Sequence, residues 1–122
     1  MKRIPAAERM IESPVLSHRI SEQVRLLKSE PEWKSGPEDG ITLAKYPHMR
    51  VVLVALKKGL SMREHRIKGP MSLYVVNGRV SLKTGHTESE LEKDGLFTLR
   101  KNVPYDVRAN TDAVMLMTIM AP

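Results

Sequence analysis

The sequence predicts an all-β barrel preceded by a short N-terminal arm. Three observations lead there. From residue 41 onward, short Val-, Ile- and Leu-rich runs are separated by Gly, Asn, Asp and Pro, the sequence form of a sandwich or barrel. Asn77-Gly78 sits between two such runs, and this pair readily adopts the positive φ that both central residues of a type I′ turn require. No helix of useful length interrupts the runs, so an antiparallel closed or double-sheet arrangement is the natural way to bury their apolar faces and remove exposed edges.

The arm is expected over residues 1–40 and the barrel domain over 41–122. Pro5, Pro14, Pro31 and Pro37 break the arm into short pieces. A short helix is expected over 6–11 with Pro5 at its first position, while Ile20, Val24 and Leu27 have the spacing to pack one face of a second. Residues 29–40 hold two prolines, two glycines and several acids and read as a loop. In the barrel, 41–46 alternates and 50–56 suits a buried strand. The runs 71–76 and 79–83 flank Asn77-Gly78 and are expected to pair as a hairpin. Further strands are expected at 95–99, 105–109 and 113–119, with turns at 93–95 and 110–112.

A chain of 122 residues has room for one hydrophobic core, and apolar and charged fractions of 41% and 28% are those of an ordinary globular domain. With no cysteine, the chain has no disulfide framework, thiolate metal site or cysteine nucleophile, and its expected location is cytoplasmic. Met1-Lys2-Arg3 is basic, but Pro5, Glu8 and Arg9 interrupt any apolar stretch after it, so neither an export signal nor a membrane span is expected. The net charge of +6 favours anionic partners in general, yet the 20 Lys and Arg residues are dispersed. One Trp, three Tyr and one Phe make few stacking platforms, so no nucleic-acid partner is expected.

The stretch from Gly59 through His65 to Gly78 resembles the first motif of the cupins, Gly-x5-His-x-His-x3,4-Glu-x6-Gly. Gly95 to Asn110 resembles the second, Gly-x5-Pro-x-Gly-x2-His-x3-Asn, with both end residues matching in identity and spacing. The resemblance implies a cupin-type double-stranded β-helix, or jelly-roll, barrel. It also implies which positions would face a metal: the first histidine falls on His65, the second on Ile67, the glutamate on Met71, and the last histidine on Asp106 by strict spacing or on Tyr105 if Val103-Pro104 is aligned. Val103, Tyr105, Val107 and Ala109 form the apolar face of their run, which favours Tyr105 as the inward residue.

If His65 faces inward, alternation turns Arg63 and Ile67 inward with it, the Arg63 head lying either in the pocket or in water at the strand's mouth, and an inward Met71 brings Leu73 and Val75. Either Met115, Met117 and Ile119 or Val114, Leu116 and Thr118 completes the lining. The expected ligand-binding set is therefore His65, Tyr105, Arg63, Ile67 and Met71. No metal or cofactor is expected, because a divalent ion needs three or four converging N and O donors, and His18, His48 and His86 lack ligand spacing.

The expected function is binding of a small organic molecule inside the barrel. Two alternatives stay open: a metal-dependent enzyme of dioxygenase, isomerase or decarboxylase type with atypical ligands, and a non-catalytic scaffold. Metal-independent cupins such as sugar epimerases use a His and Tyr pair, for which His65 and Tyr105 would be the counterparts. Standalone cupins commonly pair, so a homodimer is expected, with Val15, Leu16, Ile20, Val24, Leu26 and Leu27 available for its interface.

Overall fold

The computed structural model of the chain describes residues 11–64 and 68–121. The helix expected over 6–11 falls, but for its last residue, outside that range, as do His65 and Ile67.

The described residues form two helices and nine strands. They are α1 (Ile20–Ser29), α2 (Pro31–Ser35), β1 (Glu38–Tyr46), β2 (Met49–Leu56), β3 (Ser61–Glu64), β4 (Met71–Asn77), β5 (Arg79–Thr84), β6 (Thr87–Glu92), β7 (Leu96–Leu99), β8 (Tyr105–Ala109) and β9 (Ala113–Met120). One sheet has the order β1-β2-β9-β4-β7 and the other β3-β8-β5-β6. Every pairing is antiparallel. Apart from the neighbours β1-β2 and β5-β6, each strand is followed by one in the opposite sheet. That alternation is the winding of a jelly roll.

Strand parity builds the core. Met71, Leu73 and Val75 of β4 share a face with Met115, Met117 and Ile119 of β9; across the sandwich stand Val80 and Leu82 of β5 and Tyr105, Val107 and Ala109 of β8. Val75, Val80, Val107, Ala109 and Met115 are fully buried there. The interior set from β9 is thus the methionine set. Val114 and Leu116 point the other way, into a second cluster on the outer face of the five-stranded sheet.

That second cluster is why α1 forms. Val24 and Leu27, three apart on one helical face, are buried against Leu53, Ala55 and Val114. Burying a leucine such as Leu27 stabilises the fold by roughly 2 kcal/mol. Glu30 is extended (φ −75°, ψ 142°), as a residue before proline prefers, so α1 stops there and Pro31 opens α2 at its first position. The stretch expected as a loop over 29–40 therefore holds a helical turn and the start of β1. Trp33 decides the difference: it is buried in the same cluster, with the Lys57 ammonium 4.1 Å from its ring centroid.

The hairpin expected at Asn77-Gly78 is not formed. Asn77 stays within β4 and Gly78 alone of the pair has positive φ (84°). The chain turns a corner there, from β4 in one sheet to β5 in the other. A Cβ on Gly78 would lie 2.3 Å from the Asp112 carbonyl oxygen, so the glycine is needed for close backbone approach as well as for φ. The corner is tied to the β8–β9 turn: the Arg79 amide donates to Thr111 Oγ1 at 3.0 Å and the Asn110 amide to the Arg79 carbonyl at 2.9 Å. Two strands were also not foreseen, β3 and the polar β6, whose residues are mostly exposed.

Candidate functional site

Of the positions implied by the motifs, Met71 on β4 and Tyr105 on β8 are described. Tyr105 and Met71 are buried in one apolar cluster, 9% and 4% exposed. Alternation along β8 accounts for the first, since Val107 and Ala109 share its face while Asp106 and Arg108 point outward. Tyr105 therefore takes the inward position of the second motif and Asp106 does not.

Arg63 corrects the expected lining. It stands opposite Asp106 in register, and Met62 stands opposite Val107. Directly opposed residues share a sheet face, so Met62 joins the core and Arg63 turns to solvent. Its Nε donates to Asp106 Oδ2 at 3.0 Å, with the Arg63 side chain 70% exposed. The inward alternation assumed from position 65 back to position 63 does not reach Arg63.

A metal of the kind cupin barrels hold does not fit the described interior. The lining is aliphatic apart from the Phe97 ring, the Tyr105 hydroxyl and methionine thioethers. One hydroxyl and soft sulfur atoms are not the N and O donor set that iron, manganese or zinc takes. Among the described residues, the carboxylates of Glu30, Glu32 and Asp39 come within 4.8 Å of one another. They lie at the α2–β1 junction, outside the barrel, and each engages a further partner.

The outer face of the four-stranded sheet carries a polar grid that sequence reasoning missed. Along one row, Arg63, Asp106, Lys83 and Glu88 stand opposite one another across β3, β8, β5 and β6; in the next row stand Ser61, Arg108, Ser81 and Glu90. Charges alternate in sign along the first row, the arrangement that favours cross-strand pairing. Asn110, the last residue of the second motif, donates from Nδ2 to Ser81 Oγ at 2.8 Å and to Glu90 Oε2 at 2.6 Å. A shallow depression of about 290 Å³ lies over the grid. The only sequence signal for this face was the polar alternation of Asp106, Arg108 and Asn110; its partners come from non-neighbouring strands and needed the topology.

Two motif glycines meet backbone or packing demands. Gly59 has φ 87°, and its amide donates to the Ala109 carbonyl at 2.7 Å. A Cβ on Gly95 would meet the Leu91 Cβ at 2.7 Å.

No family model matches the chain, and no curated protein matches it. Solved structures do. The chain is similar to a cupin superfamily protein of Desulfitobacterium hafniense, at 13% identity and a TM-score of 0.68 over 70% of this chain and 78% of that one. A cupin-2 domain protein of Shewanella frigidimarina aligns at 11% identity and 0.67 over 84% and 93%. Salicylate 1,2-dioxygenase of Pseudaminobacter salicylatoxidans aligns at 18% and 0.76, over 90% of this chain and 36% of the enzyme. Winding, sheet order and inward faces define an antiparallel jelly-roll barrel. Its fold is that of the cupins.

Proposed function

We propose that the barrel interior holds a small, largely apolar or weakly acidic organic molecule without a metal, oriented by Tyr105 and His65. The observation that carries this reading is the burial of Tyr105, a hydroxyl-bearing residue, in a core cluster otherwise made of aliphatic, aromatic and thioether side chains. An apolar concavity with a few polar groups is the usual form of a small-molecule site, and Met71, Met115 and Met117 supply a lining able to adapt in shape. Arg63 is not part of this interior reading; its outward position leaves it to the surface grid. The protein is further proposed to act as a cytoplasmic homodimer. Val24 and Leu27 are used on this chain's own sheet, whereas Val15 and Leu26 remain exposed for a partner. No helix of the described residues is long and apolar enough to cross a membrane.

The test is a thermal-shift screen of small carboxylic acids, phenols and neutral aromatics against the purified protein. A compound present at one hundred times its Kd raises stability by about 2.7 kcal/mol. Tyr105→Phe and His65→Ala are expected to reduce that gain while the fold is retained. Unchanged binding by both folded variants would sink the roles given to these residues. Elemental analysis before any exposure to chelator completes the test, because near-stoichiometric iron, manganese, nickel or zinc would overturn the metal-free reading.

A further inference from the structure

We propose that a second site, a cleft on the outer surface between α1 and β4, binds a free apolar amino acid in its zwitterionic form. The cleft has a volume of about 440 Å³ and lies outside the barrel, so the proposal is independent of the interior reading. Its apolar walls are Ile20 and Val24 from α1 and Val76 from β4. Its polar rim is Tyr74, Lys93 and Asp94.

The fold produces this cleft because α1 covers only part of the sheet. Across the outer face, Leu53, Leu116, Tyr74 and Leu96 stand in register on β2, β9, β4 and β7. Exposure rises along that row, from 0% at Leu53 under the helix to 57% at Leu96 on the edge strand. The cleft opens where the helix ends its cover.

The rim carries opposite charges, of which Asp94 is held in place by hydrogen bonds. Asp94 sits in a left-handed turn (φ 72°), its amide donating to the Val75 carbonyl at 2.8 Å and the Gly95 amide donating to Glu92 at 2.8 Å. The Tyr74 hydroxyl donates a short hydrogen bond to Asp94 Oδ1, which aims the carboxylate at the cleft rim and leaves Oδ2 to accept from a ligand. Lys93 precedes it with a cation, and the first turn of α1, at Ile20 and Ser21, adds helix N–H groups that have no acceptor within the helix. A carboxylate alone would meet Asp94, and an amine alone would meet Lys93. A zwitterion satisfies both: its ammonium on Asp94, its carboxylate on Lys93 and the helix start, and an apolar side chain between Ile20, Val24 and Val76.

Methyl NMR of the full chain titrated with L-leucine tests this, with isocaproate and isopentylamine as analogues lacking one charge each. Leucine is expected to shift the methyl signals of Ile20, Val24 and Val76, and each analogue to bind about three- to tenfold more weakly. Asp94→Asn is expected to weaken leucine by a similar factor and to leave isocaproate as tight or tighter, since a like charge is removed; Lys93→Met is expected to weaken leucine and to leave isopentylamine as tight or tighter. Should Asp94→Asn disturb the turn, Asp94→Gly removes the same carboxylate while relieving the left-handed backbone. Absence of leucine-induced shifts in these methyls at tens of millimolar, or isocaproate binding as tightly as leucine, overturns the proposal. Leucine affinity unchanged in both Asp94→Gly and Lys93→Met overturns it as well.

Discussion

Tyr74 and Asp94 show how one contact sets a titration. The hydrogen bond to Asp94, with smaller contributions from desolvation and the carboxylate's charge, raises the Tyr74 phenol above its ordinary value of 10.0. A raised folded-state value means that the contact's stabilisation is fully present below about pH 10 and is lost as pH rises through the folded value. In Asp94→Asn the Tyr74 phenolate should therefore appear at lower pH, read by ultraviolet difference titration. Two other residues fix the range of mutational cost. Met115→Ala, at a fully buried core position, is expected to cost about 2–5 kcal/mol in urea unfolding. Arg63→Ala removes a largely exposed ion pair and should cost at most about 1 kcal/mol.

At the scale of elements, periodicity was legible wherever it decided burial. Val24 and Leu27 marked α1, and the alternation of Tyr105, Val107 and Ala109 marked the inward face of β8. Pairing was less legible, because a turn sequence specifies local dihedrals and not the sheet to which the next strand belongs. Asn77-Gly78 carries the hairpin dipeptide, yet tertiary contacts to Thr111, Asp112 and Ala113 turn it into a corner between sheets. Gly78→Ala should consequently destabilise by about 2 kcal/mol or more, through both φ and the close Asp112 carbonyl, and urea denaturation checks it. β6 escaped notice for a different reason: with Glu88, Glu90 and Glu92 exposed, it has almost no buried face to leave an apolar period.

For the whole molecule, the fold was legible because turn glycines and inward apolar faces both had to be satisfied for the barrel to close. Gly59, Gly78 and Gly95 each meet a backbone or packing demand. The interior was legible as far as Tyr105 and Met71. Arg63 was misplaced because its orientation depends on its register against β8, a relation between distant segments. Trp33 closes the outer face over β1 and β2, and Trp33→Ala should lower stability by about 3 kcal/mol and loosen α2, visible in amide exchange.

The acidic strand β6 also governs how one barrel treats another. It is the outer strand of its sheet, with one side of its backbone facing no other described strand. Such a rim invites edge-to-edge zipping into aggregates, and rows of like charge are a common defence against it. Two copies aligning their β6 rims would set Glu88, Glu90 and Glu92 against the same three residues. The strand that contributes least to the core thus carries charge that opposes the growth of barrels into a continuous ribbon.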